Sequence, residues 1–135
     1  MDFNTDLPMG LKAEKTETVT DENTAESWGS GGLPVYATPA MIALMEGAAA
    51  AAVQDKLPAG WSTVGTELNV KHLSASPLGA EVKAVGELIE VDGRRLCFKV
   101  EAHDNAGKIG EGFHERFIVE NERFLKKIAE KTASH

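Results

Sequence analysis

Residues Val35 to Lys56 form a run that is apolar or alanine almost throughout before its polar end Gln54-Asp55-Lys56, and one carboxylate, Glu46, sits inside the apolar part. Thr38 can accept from the free amides of a first helical turn and Pro39 fits the first helical position, so a helix is expected to start here. Leu57-Pro58 ends it. A helix apolar on nearly every side must be surrounded by protein rather than laid on a surface. Glu46 breaks that pattern. Its neighbours one turn away are Ile42, Ala43, Ala49 and Ala50, so no local cation neutralises it. A carboxylate so placed costs several kcal/mol unless a distant group pairs with it or it takes up a proton. General-base and nucleophilic chemistry use such a group. The alternative is an acid that reaches solvent through a gap or is bonded to backbone amides, and the stretch alone leaves both open.

The 135 residues suffice for one sizeable core, and 1–135 is read as a single domain with a flexible N-terminal segment over 1–10. There are 21 acidic and 14 basic residues, a net charge of -7, and no basic cluster. That argues against a nucleic-acid surface. The N-terminus has neither a positive region nor an apolar run, so it does not read as a secretory signal. The helix run falls short of the roughly 20 residues of a membrane span. A cytoplasmic protein without membrane contact is expected. Cys97, the one cysteine, has no disulfide partner, and the histidines at 72, 103, 114 and 135 show no ligand spacing, so no metal is expected.

Around the helix the pattern is that of strands. Leu11 to Thr20 alternates loosely and is rich in Thr and Val, a first strand. Asp21 to Gly32 is polar and ends in Gly29-Ser30-Gly31-Gly32, read as a flexible loop over the helix start. After Pro58-Ala59-Gly60, period two puts Val64, Thr66, Leu68, Val70 and His72 on one face and Thr63, Glu67, Asn69 and Lys71 on the other. His72 thus lies on the apolar side, where a hydrogen-bonded core histidine is the commoner outcome. Ala80 to Val91 and Arg94 to His103 are joined at Asp92-Gly93, a tight hairpin. Leu96, Phe98, Val100 and Ala102 form the buried row of the second, with Cys97 and His103 on the opposite face. Asn105-Ala106-Gly107 turns into a last strand, Lys108 to Val119. Its rows are Ile109, Phe113, Phe117 and Val119 on one side and Gly110, Gly112, His114 and Arg116 on the other. Two glycines in one row mark close approach by a backbone or a ligand. Phe124, Leu125 and Ile128 give 121–131 the spacing of a short amphipathic helix docked on the sheet.

This order, a curved antiparallel sheet wrapped around one long central helix with a short C-terminal helix, is the hotdog arrangement of the α+β class. One sheet cannot cover the whole helix, so a second copy of the chain is expected to do so. The sequence leaves open whether dimers pair into tetramers.

Val35-Tyr36-Ala37-Thr38, followed eight residues later by Glu46 within Leu44-Met45-Glu46, resembles the helix start of the fluoroacetyl-CoA thioesterase-like family of hotdog proteins. The resemblance continues through Gly65-Thr66, His72, the hairpin Glu90-Val91-Asp92-Gly93-Arg94-Arg95-Leu96, Ala102-His103-Asp104, and Gly110-Glu111-Gly112-Phe113-His114-Glu115-Arg116. It covers most of Leu33 to Lys131. It implies hydrolysis of an acyl-CoA thioester between two subunits, with Thr38, Glu46 and His72 as the catalytic set and Gly65 as a backbone amide for the carbonyl. No cofactor is implied, CoA entering as part of the substrate. Members that select fluoroacetyl groups carry an aromatic lid residue shortly before the threonine. Here Ser30-Gly31-Gly32-Leu33-Pro34 stands there, and Gly47 follows the acid where a bulky aromatic can stand, so a different acyl preference is implied. Tyr36 is a candidate substitute gate, against the simpler reading of a packed tyrosine. Arg94, Arg95 and Arg116 are candidates to meet CoA phosphates, against the simpler reading of ordinary surface or strand-pair charges.

In a hypothetical mechanism the helix N-terminus stabilises the oxyanion, Glu46 attacks the carbonyl or activates water, His72 relays a proton, and Thr38 bonds substrate or a catalytic partner. Thr38 and Glu46 are about 12 Å apart along the helix axis, which favours a site built from two chains. Two rivals remain. A hotdog hydratase typically places an Asp and a His on or beside the central helix, but no histidine occurs between Val35 and Lys71. A non-catalytic binder of acyl-CoA or a similar small ligand would retain the thioester.

Overall fold

A computed structural model describes residues 7–133. Five strands, β1 (Lys12–Thr18), β2 (Trp61–His72), β3 (Glu81–Asp92), β4 (Arg95–Asp104) and β5 (Gly107–Glu120), form one antiparallel sheet in the order β1-β3-β4-β5-β2. Helix α2 (Thr38–Gln54) lies on its inner face, a one-turn helix α1 (Ala25–Trp28) precedes it, and α3 (Asn121–Ala133) follows β5. Among the described residues no helix is long and apolar enough to cross a membrane. Of the segment expected to be flexible, residues 1–6 lie outside the described residues. Leu7 joins the core, and the Gly10 amide donates to the Leu88 carbonyl.

Helix α2 turns Ala40, Met41, Met45, Ala48, Ala49 and Val53 onto the sheet, a stripe at helical spacing. It packs chiefly on β1 and β3. Their inner row includes Val82, Ala84, Gly86 and Leu88, and β4 adds Leu96, Phe98, Val100 and Ala102, all buried. Alanines on the helix and Gly86 on the sheet let the two backbones approach closely. A Cβ at residue 86 would stand 2.7 Å from both Ala49 N and Cα. Gly86→Ala is therefore expected to cost about 2 kcal/mol of overpacking and lower Tm by roughly 5–10 °C in a thermal melt. The opposite side of α2 remains uncovered in one chain, with Ala43 and Ala51 exposed.

The helix begins at Thr38 with Ala37 as its cap, and no side chain caps it. The Thr38 hydroxyl is engaged by His72 instead. The polar stretch 21–32, expected as a flexible loop, contains a capped turn. Thr24 Oγ1 accepts from the Ser27 amide, Gly29 closes α1 at φ 70°, and Thr24 bridges to Tyr36. Thr-x-x-Ser followed by Gly carries both end signals of a short helix.

One strand face also differs from expectation. A bulge between Gly65 and Glu67 flips the alternation of β2, so Thr63 is buried while Leu68 and His72 keep the inward side. On β5 the inward row is Gly110, Gly112, His114, Arg116 and Ile118. Phe113 and Phe117, 52% and 41% exposed, face out. The close approach expected at the two glycines occurs: Gly112 sits against the Asn69 carbonyl and Gly110 against Met41. The terminal helix forms, but none of its residues is buried, and its Leu125 and Ile128 stay exposed rather than docking on the sheet.

Candidate active site

Because α2 lies chiefly over the β1–β3 half of the sheet, the β5–β2 half of the concave face meets the helix at fewer points, Thr38, Met41 and Glu46 among them. That half carries polar residues. Two clusters form there.

The first is Thr38 with His72, whose Oγ1 and Nδ1 are 2.7 Å apart. His72 ends β2 beside the start of α2, so the first helical residue and the last strand residue meet. His72 Nε2 is buried without a hydrogen-bond partner among the described residues. Burial holds the ring below its ordinary pKa, a shift that the nearby Ser74 backbone partly opposes. A neutral imidazole with one nitrogen on a hydroxyl and the other unengaged can pass a proton between two groups.

The second cluster surrounds Gly65. A Cβ there would come within 3.0 Å of Glu46 Oε2, 3.1 Å of His114 Cε1 and 3.5 Å of Arg116 Nη1. Only glycine lets the three side chains approach the β2 backbone this closely. Glu46 is 37% exposed in the single chain, and Arg116 Nη1 lies 4.0 Å from its Oε2. The missing neutralising partner is thus a distant one, supplied across the sheet by β5. Arg116 is itself buried: its Nε donates to Thr63 Oγ1 at 2.7 Å, its Nη2 to the Thr63 carbonyl at 2.8 Å, and its Nη1 to His114 Nε2 at 3.1 Å. Burial lowers the guanidinium's pKa and the Glu46 charge opposes that. His114, 1% exposed, donates from Nδ1 to the Glu67 carbonyl at 2.8 Å.

Among the described residues no hydrogen bond joins the two clusters. Thr38 and His72 come together at the start of α2, and Glu46, Gly65 and Arg116 come together beside its middle. Tyr36 is packed, 1% exposed, with its hydroxyl donating to Glu17. Burial, then Glu17, raises its pKa. Such a residue is a fixed wall of the core rather than a swinging gate. Arg94 stacks over the Trp61 ring at 4.9 Å, and Arg95 pairs with Glu90, Asp92 and Glu115 at the β3–β4 hairpin. Neither is brought to Glu46. Arg116 faces the carboxylate from inside the sheet, not a solvent-borne phosphate. His114 and Thr63 were not singled out in the sequence. Their signal was the glycine row they share or oppose on β5 and the bulge on β2.

Both buried histidines tie stability to pH. Their folded pKa values lie below the ordinary 6.5, so below that pH the unfolded chain binds protons that the folded chain refuses. Stability is then full above 6.5 and is lost as pH falls through that value toward the folded pKa. Urea midpoints are expected to rise between about pH 5 and pH 7 and to level off above. A flat or falling profile in that window would contradict the buried neutral state of both rings.

A sheet curled about one helix, with an acid on the helix and a histidine and hydroxyl at its start, defines a hotdog-fold protein of the thioesterase type. The sequence profile of the fluoroacetyl-CoA-specific thioesterases matches residues 19–122, and the chain belongs to that family. It is 42% identical over 98 residues to the fluoroacetyl-CoA thioesterase of Streptantibioticus cattleyicolor, covering 73% of this chain and 70% of that one. A crystal structure of a mutant of the fluoroacetyl-CoA-specific thioesterase FlK superposes with a TM-score of 0.87 at 32% identity, over 96% of this chain and 100% of the other. A hypothetical protein of Thermus thermophilus from the thioesterase superfamily also superposes at 0.87, with 28% identity, over 98% and 100% of the two chains.

Proposed function

We propose that the protein hydrolyses a small acyl-CoA thioester to the free acid and CoA at a site completed by a second copy of the chain. The observation that carries the reading is the carboxylate of Glu46 packed close over the Gly65 backbone, where only a glycine fits, with the Arg116 guanidinium 4.0 Å away. Family membership supplies the reaction class. In this reading water, deprotonated by Glu46 as base, adds to the thioester carbon and the C–S bond breaks; alternatively Glu46 adds, the C–S bond breaks to leave an acyl–Glu46 anhydride, and water then cleaves that anhydride to the free acid and frees Glu46. On either route the CoA sulfur leaves with a proton relayed by His72. Thr38 holds His72 in place. The Gly65 backbone, loosened by the bulge, supports the carbonyl oxygen.

Three features support completion by a second chain: the two clusters do not meet, one side of α2 is uncovered, and β2 is a twelve-residue edge strand with no further strand beside it among the described residues. A homodimer follows, and further pairing into tetramers is part of the same question. A cytoplasmic setting fits a chain with one unpaired cysteine.

Fluoroacetyl selectivity is not part of the proposal. Gly31, Gly32 and Leu33 are exposed and carry no aromatic ring toward the helix start, and Gly47 adds none. The test is release of free thiol from acetyl-, fluoroacetyl-, medium-chain and aryl-CoA thioesters. Turnover of at least one, with fluoroacetyl-CoA no better than acetyl-CoA, is the expected result. Retention of every thioester with measurable binding would leave a non-catalytic acyl-CoA binder.

A further inference from the structure

Arg116 is unusually well held for a residue in a reactive pocket. Its guanidinium has five N–H donors. Thr63 takes two of them through its hydroxyl and carbonyl, and His114 takes a third at Nη1. Nη1 is also the nitrogen nearest Glu46 and the Gly65 backbone. Its second N–H is therefore aimed by the bond the first one makes to His114.

The partners of His114 dictate its chemical state. The Glu67 carbonyl can only accept, so Nδ1 must carry a proton. The Arg116 guanidinium can only donate, so Nε2 must carry none. We propose that His114 is a positioning residue, held as the neutral Nδ1–H imidazole, which fixes Arg116 Nη1 toward Glu46 and the Gly65 backbone, beside which the acyl carbonyl reacts. The inference rests on the thioesterase reading of that site. Carbonyl, ring and guanidinium form one rigid relay from the β2 bulge to the helix acid.

Protonation of Nε2 would set donor against donor and cation against cation. The groups facing the ring are the Arg116 guanidinium and Glu115 on its own strand, the Glu46 carboxylate on α2 and the Glu67 carbonyl on β2, while β4 contributes the Phe98 ring 6.4 Å away. Burial, joined by Arg116, holds the pKa down against the carbonyl and the two carboxylates. Geometry and charge agree on a neutral ring.

The test has two independent arms on the full-length protein. Long-range 15N–1H NMR of the ring should show the Nδ1–H tautomer of His114 at neutral pH, still unprotonated at the pH where an ordinary imidazole is half protonated. In the kinetic arm His114→Leu, which cannot accept from Arg116, should lower kcat about 100-fold with KM changed far less. His114→Gln, whose side-chain oxygen can accept from Nη1, should recover most of that loss. An Nε2–H tautomer or an imidazolium at pH 7 would overturn the proposal. So would a folded His114→Gln protein as slow as His114→Leu, since that pattern marks a ring needed for packing alone. If wild type turned over no thioester, the function reading would fail, and the tautomer together with a slowly exchanging Arg116 Nη1–H lost in His114→Leu would still decide the positioning.

Discussion

Glu46→Gln is expected to lower kcat/KM for the best thioester about a thousandfold, the size of effect that a removed general base or nucleophile produces. Gln keeps the length and hydrogen-bonding shape of the side chain but can neither take a proton from water nor attack a carbonyl. The fall should lie in kcat, because the lost interaction belongs to the transition state, while KM stays near the wild-type value. Little stability should be lost. The Glu46 side chain is 37% exposed and its contact with Arg116 is at 4.0 Å, a long ion pair next to water, so removing the charge leaves Arg116 with its bonds to Thr63 and His114 intact. Thiol release and a thermal melt on the same preparation separate the two effects. A folded variant within about threefold of wild type would remove Glu46 from the chemistry.

Glu46 was legible in the sequence because a lone acid in an alanine-rich helix violates the rule that fills the rest of that helix. The β3–β4–β5 hairpins were legible too, from turn residues such as Asp92-Gly93 and from the uninterrupted alternation of Leu96 to Ala102. A simple meander, however, puts β2 beside β3, whereas β2 crosses to pair with β5 and β1 takes the place beside β3. Faces were harder. Period two assigns the more apolar row to the core, and on β5 that rule selects Phe113 and Phe117 over His114 and Arg116. The concave face has to host both a helix and polar chemistry, so along the β5–β2 half it is lined by glycine and polar groups, and the aromatic rings are turned outward. On β2 one extra residue at the bulge reverses the rows, which no alternation count detects. The meeting of Arg116 with Glu46 is a long-range event, set by the pairing of Gly65 with Arg116. Only the three-dimensional register brings those residues to one place. Thr38 shows the reverse case: its position at the helix start is plain, but whether its hydroxyl caps the helix or meets His72 is decided by where β2 ends.

Mixing two inactive variants should restore activity. Glu46→Gln retains Thr38 and His72, and His72→Ala retains Glu46, Gly65 and Arg116. In one chain one cluster lies at the start of α2 and the other beside its middle, about two turns further on, with no hydrogen bond between them among the described residues. Two copies related by a twofold axis can set the helix start of one beside the acid of the other, because a twofold interface brings each patch to its counterpart in reverse direction. A mixed dimer then contains one site with both wild-type halves and one site with both altered halves. Random reassociation makes half the dimers mixed, so about a quarter of the wild-type rate should return from proteins that are each nearly inactive. Should each chain hold a complete site of its own, every site in every dimer would carry one lesion and the mixture would stay inactive. Native mass spectrometry of the mixture, which counts mixed dimers directly, makes a negative result as decisive as a positive one. A rate that appears in proportion to the mixed species ties catalysis to the contact between subunits, and a silent mixture rich in mixed dimers returns the whole reaction to a single chain.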